Sequence, residues 1–175
     1  MKRLLFSCHA WSATQRGFSL AELSVVLGLL AIGTSWAMPS LSSWLWRLRV
    51  ESVVQAWRGD LQTAQLQALR RGENLELQRL NSCQSTPLAD GDWRCGWQLV
   101  RPTASDTPLI NHGLGGELLL QLYPGQNLLP INGQGEAVAG GLRLTVQAKN
   151  LKTVVRSICI NNTGRVRVVA SEVCT

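Results

Sequence analysis

What the sequence lacks narrows its chemistry first. Histidine occurs only twice, at His9 and His112, and none of the five cysteines forms a CxxC pair. The close ligand spacings on which zinc sites are built are therefore missing. There is no glycine-rich nucleotide loop, no nucleophile with an adjacent base, and no paired carboxylates suited to acid–base work. The expectation is a protein that is not an enzyme, with no catalytic residues, no cofactor and no metal. Internal repeats and low-complexity tracts are absent too, which argues against a solenoid or a disordered chain. What remains is 175 residues, 45% of them hydrophobic, enough for one modest core.

Charge is nearly missing from one long stretch. Phe18 to Met38 reads FSLAELSVVLGLLAIGTSWAM, 21 residues with Glu22 as the single charge. Such a run is long enough to cross a bilayer as a helix. Lys2, Arg3 and Arg16 precede it, an arrangement that holds the leader on the cytoplasmic side while the rest is exported. An ordinary secretory signal is cut behind small residues after its apolar core. Here Arg16-Gly17 lies directly before the apolar run, so a cut at that point retains it. The expected organisation is a leader at 1–17, a membrane-spanning or filament-core helix half at 18–44, and an exported domain at 45–175.

Past Pro39 the helical period continues. Leu41, Leu45, Leu48, Val53, Val54, Trp57, Leu61, Ala64, Leu66, Ala68 and Leu69 recur at intervals of three and four. Arg70-Arg71-Gly72 supplies a stop. A continuous helix from Phe18 to Arg71 would be about 80 Å long. From Asn74 the texture becomes short β-type runs between turn residues: Leu75–Leu80, Trp93–Val100, Glu117–Tyr123, Gly141–Gln147, Thr153–Ile160 and Arg165–Ala170. One helix followed by antiparallel strands predicts an α+β domain with the helix laid across a sheet.

The formal charge of +6 is uneven. Removing Lys2, Arg3 and Arg16 leaves +3, and between Gly140 and Thr175 six basic residues (Arg143, Lys149, Lys152, Arg156, Arg165, Arg167) oppose only Glu172. That local excess of about +5 points to an acidic partner or to a solvated basic face. With Cys8 in the leader, four cysteines remain, and three pairings are open to them. The local set, Cys83 with Cys95 and Cys159 with Cys174, is the expected one. Each bridge would close a short loop, a constraint of about 3 kcal/mol. Zinc stands as the alternative. Disulfides imply the periplasm or the cell exterior.

Two resemblances sharpen this reading. Arg16-Gly17-Phe18-Ser19-Leu20-Ala21-Glu22-Leu23 resembles the prepilin peptidase site of type IV pilins and type II secretion pseudopilins. The resemblance implies cleavage between Gly17 and Phe18 and methylation of the new amine. It also implies an assembly role for Glu22, whose carboxylate in hydrocarbon needs a partner. A neighbouring subunit's α-amine can supply one. Pro39 falls where many pilins carry a proline, which weakens or kinks the helix. Asp92-Trp93-Arg94-Cys95-Gly96-Trp97-Gln98-Leu99-Val100 and Thr163-Gly164-Arg165-Val166-Arg167-Val168-Val169 resemble the FimT/GspH group of minor pilins and pseudopilins, which implies the pilin fold.

Gly164-Arg165-Val166-Arg167 is similar to the GRxR motif of FimT proteins that bind DNA in natural transformation. Glycine tolerates the positive φ of a tight turn. In a strand Arg165 and Arg167 share one face about 7 Å apart, while Val166 and Val168 face the core. Two guanidinium groups so placed grip phosphate oxygens without reading sequence. Lys149, Lys152 and Arg156 are expected to extend this patch. The plainer alternative is an edge strand protected from aggregation by solvated arginines.

The resemblance therefore implies a minor pilin that captures double-stranded DNA, with other pilins, the prepilin peptidase and the inner membrane as further partners. Its expected course runs from the inner membrane, with a periplasmic domain, to the pilus fibre or tip. The alternative function is a structural FimU-like or GspH-like subunit of the initiating tip complex.

Overall fold

The computed structural model describes residues 19–81, 83, 87–103, 107–138, 141–161 and 164–174, and leaves the side chains of 34–40 undescribed. The leader, Gly17, Phe18 and the Pro39 side chain lie outside the described residues. Helix α1 (Leu20–Arg71) comes first. Eight strands follow: β1 (Leu75–Arg79), β2 (Gly96–Val100), β3 (Ile110–Gly113), β4 (Leu118–Tyr123), β5 (Leu128–Ile131), β6 (Leu142–Ala148), β7 (Leu151–Ile160) and β8 (Val166–Val169). The fold class is α+β.

Local chemistry accounts for the ends of α1. Ser19 Oγ accepts the Glu22 N–H at 3.2 Å, and the Ser19 carbonyl accepts the Leu23 N–H at 3.1 Å. A serine followed three residues later by glutamate is the sequence form of a capping box. At the other end Arg70 and Arg71 sit against the negative pole of the helix, and Gly72 takes a φ of 62° that stops it.

The chain forms two compact units, one ending at Ser40 and the other running from Leu41 to Thr175. In the first, the described side chains from Leu20 to Gly33 are all exposed, including Leu20, Leu23, Val25, Val26, Leu27, Leu29, Leu30 and Ile32. Among the described residues no helix is long and apolar enough to cross a membrane. The run read from the sequence also draws on Phe18 and on the side chains of residues 34–38, which are outside the description.

The second unit holds the core. Val50, Val53, Val54, Trp57, Leu61, Ala64 and Ala68 form one buried stripe of α1 at spacings of three and four. They pack with alternating residues of the strands, among them Leu75, Leu77, Trp97, Leu99, Leu120, Leu122, Leu144, Val146 and Ile158. Each such large side chain contributes about 1.5–3 kcal/mol on burial. The periodic leucines divide here: Leu41, Leu45, Leu48, Leu66 and Leu69 are exposed rather than buried. They occupy the other sides of a helix whose core stripe is set by Val50, Trp57 and Leu61.

The single sheet expected from the sequence is two. One has the order β3-β2-β1-β5 and the other β4-β6-β7-β8, with each pairing antiparallel. An Asp92–Gln121 bridge and the Trp93 N–H to Leu120 carbonyl bond (2.9 Å) link them. The Trp93–Trp97 element is structural. Trp93 Nε1 donates to the Gln126 carbonyl and Trp97 Nε1 to Asp60 Oδ2, both at 2.8 Å, and neither indole is exposed. His112 stacks on Trp97 with ring centroids 4.5 Å apart.

Candidate nucleic-acid interface

The C-terminal arginines belong to the second sheet, and the register shows how their face is made. Tyr123 of β4 pairs with Arg143 of β6, Arg143 with Cys159 of β7, and Cys159 with Arg167 of β8. These four residues form one row across the sheet on its outer side. The adjoining row, Leu122, Leu144, Ile158 and Val168, turns into the core. Period-two alternation along each strand fixes this division.

The β7–β8 connection places Arg165. Gly164 donates its N–H to the Asn161 carbonyl at 2.9 Å, and Asn161 donates to the Arg165 carbonyl at 3.1 Å. Arg165 in turn donates its backbone N–H to Asn161 Oδ1 at 2.7 Å. Gly164 has a φ of 76° and lies under α1, where a Cβ would meet Gln65 Nε2 at 2.8 Å. The conformation calls for glycine, while the Gln65 amide is the movable end of a flexible side chain. Arg165 and Arg167 are exposed, whereas Val166 and Val168 are half-buried against the core.

The Cys159–Cys174 disulfide folds the C-terminal segment over this outer face. Ser157, fully buried, donates its hydroxyl to the Ser171 carbonyl at 2.6 Å and fastens the same segment. A groove of about 1070 Å³ runs between this segment and the strands, bordered by Tyr123, Arg143, Arg165, Arg167 and Val173. The other bridge, Cys83–Cys95, lies in the loop before β2.

Not all of the basic residues singled out in the sequence share this site. Lys149 and Lys152 sit at the β6–β7 turn, at the end of β7 remote from Gly164. Arg156 occupies the opposite side of the strand: it pairs with core-facing Val146, and its Nε lies 3.5 Å from Glu51 of α1. Arg143, by contrast, stands on the arginine face, with its guanidinium carbon 4.4 Å from the Tyr123 ring centroid. In the sequence it counted only towards the basic excess. The alternation Leu142-Arg143-Leu144-Thr145-Val146 already set it on an outer face; only the register showed which neighbours it has. Among the described residues no group of His, Cys, Asp and Glu is arranged to hold a metal.

Residues 53–164 match the family model described as type II transport protein GspH. Among solved structures the chain is similar to the type IV minor pilin FimU of Pseudomonas aeruginosa in two crystal forms. In one, the TM-score is 0.57 at 19% identity, covering 70% of this chain and 90% of that one. In the other it is 0.55 at 18% identity, covering 68% and 91%. No curated protein matches.

Proposed function

This chain belongs to the GspH family and has the fold of the minor pilin FimU; on that premise we propose that it is a minor type IV pilin that captures extracellular double-stranded DNA for uptake. A minor pilin or pseudopilin is a structural subunit, not an enzyme. The observation that supports DNA capture is the exposure of Arg165, just before the edge strand β8, and of Arg167 within it, both following the Gly164 turn. Arginines so placed neutralise phosphates whatever the base sequence. In this reading Gly164, Arg165 and Arg167 form the contact, and Lys149, Lys152 and Arg156 add only longer-range attraction.

Assembly follows from the N-terminal half. Leader removal between Gly17 and Phe18 with methylation of Phe18, a role for Glu22 in subunit docking, and a helix adjusted at Pro39 belong to the same proposal. The exposed apolar residues Leu20 to Ile32 need a cover. The inner membrane supplies it before assembly and neighbouring pilins supply it afterwards. That same feature favours a second reading, a FimU-like or GspH-like structural subunit of an initiating tip that does not touch DNA.

Deletion of the gene separates the two. Loss of transformation with normal piliation supports DNA capture; loss of piliation or secretion supports the structural reading. Gel shifts with the Leu41–Thr175 unit test the site itself. Retention of full DNA affinity by the R165Q/R167Q variant would remove those residues from it.

A further inference from the structure

Arg143 has a surplus hydrogen-bonding group. Its Nε is buried, and among the described residues no partner accepts from it. A guanidinium is never neutral and carries five donors, so the half-buried Arg143 still has N–H groups to offer an anion in the groove. Its guanidinium carbon lies over the Tyr123 ring, 4.4 Å from the centroid.

The surroundings of Arg143 are polarised. On one side lies the 1070 Å³ groove, where Arg165 and Arg167 join it and, among the described residues, no Asp or Glu is present. On the other side is a smaller cavity of about 340 Å³ that includes Asp92, Arg94 and Glu172. There the charge of Arg94 is already committed: its Nη2 lies 2.6 Å from Asp92 Oδ2 and its Nε 3.0 Å from Oδ1. An anion is therefore drawn to the groove and excluded from the cavity beside it. Arg143 and Arg167 stand two strands apart, about 10 Å at the usual strand spacing, and Arg165 lies two residues further along. All three line the same groove.

We infer that the groove is a phosphate-binding pocket in which Arg143 is the inner ligand and Tyr123 the plate that positions it, so that a phosphodiester of the bound DNA enters the groove instead of resting only on the outer arginines. This rests on the DNA-binding reading but can fail separately from it. Tyr123 is a positioning residue; Arg143 touches the ligand.

The test uses the full chain in detergent micelles, with duplex DNA and inorganic pyrophosphate as probes. Affinity is measured across a salt series, and the Arg143 Nε–Hε resonance is followed by NMR. Expected for R143Q is about tenfold weaker DNA binding and a salt slope reduced by about one phosphate contact. R143K should retain part of the affinity, Y123F should bind as the parent does, and Y123L should bind more weakly. Both probes should shift the Arg143 resonance. If R143Q and R143K bind DNA with unchanged affinity and slope while R165Q/R167Q is weakened, the pocket is overturned and the DNA reading stands. If DNA does not bind but pyrophosphate shifts the resonance, the pocket stands without the DNA reading. If neither probe shifts it, the pocket is wrong.

Discussion

Trp97 donates its indole N–H to the Asp60 carboxylate at 2.8 Å, joining a fully buried side chain of β2 to the C-terminal half of α1. Asp60 Oδ2 also lies 3.6 Å from His112 Nδ1, and His112 stacks on the same indole. One carboxylate thus holds helix, β2 and β3 together. Asp60→Ala leaves the buried indole donor without an acceptor and is expected to cost about 1–3 kcal/mol. Asp60→Asn keeps an acceptor and should cost less. Urea unfolding of the Leu41–Thr175 unit measures both, and equal losses would show that the hydrogen bond is not what matters.

Gly96 presents a sharper case. Its φ is 102°, and a Cβ there would stand 2.0 Å from the His112 carbonyl oxygen, part of the backbone of the neighbouring strand. Gly96→Ala should therefore destabilise by about 3 kcal/mol or more, since strain and a clash add. Gly113, in β3 on the other side of that pairing, has nothing within 4 Å of its added Cβ. Gly113→Ala should stay within about 0.5 kcal/mol of the parent. Thermal unfolding of the two variants side by side checks the contrast.

The Cys159–Cys174 bridge spans 15 residues and encloses Gly164, Arg165 and Arg167. Replacing both cysteines with serine should lower stability by about 3 kcal/mol. It should also free the segment that forms one wall of the groove, seen as faster amide exchange after Val169. Unchanged exchange there would mean that the Ser157–Ser171 hydrogen bond alone holds the segment.

Position along β7 makes a prediction about the lysines. Lys149 and Lys152 are separated from Gly164 by the length of a ten-residue strand, over 25 Å. At physiological ionic strength screening acts over about 8 Å. K149Q/K152Q is therefore expected to change DNA affinity by less than about twofold. A loss equal to that from the arginines would relocate the site to the β6–β7 turn.

Much of this architecture is readable in the chain, and the exceptions have physical causes. The end of the helix at Arg71 follows from Arg70-Arg71-Gly72, and the six expected strands correspond to β1, β2, β4, β6, β7 and β8. Two strands escape the pattern. β3, Ile110–Gly113, is short and at most half-buried, so it lacks an apolar alternation. β5, Leu128–Ile131, contains Pro130, which reads as a breaker; it is tolerated because β5 is the edge strand beyond β1. The division into two sheets depends on pairing between distant strands, which periodicity does not encode. The same holds for the site: alternation places Arg165 and Arg167 on one face, but Arg143 joins them, and Arg156 turns towards Glu51, only through register. The outward leucines show a similar limit, since helical period identifies Leu41, Leu45 and Leu48 as apolar without saying which stripe the core takes.

The central claim is sequence-independent phosphate binding by Arg165 and Arg167, and the most direct test is duplex DNA affinity of the Leu41–Thr175 unit across a salt series. R165Q/R167Q is expected to weaken binding uniformly across unrelated sequences and to lower the slope of log affinity against log salt by about two contacts. An unchanged slope and affinity in that variant would contradict that claim.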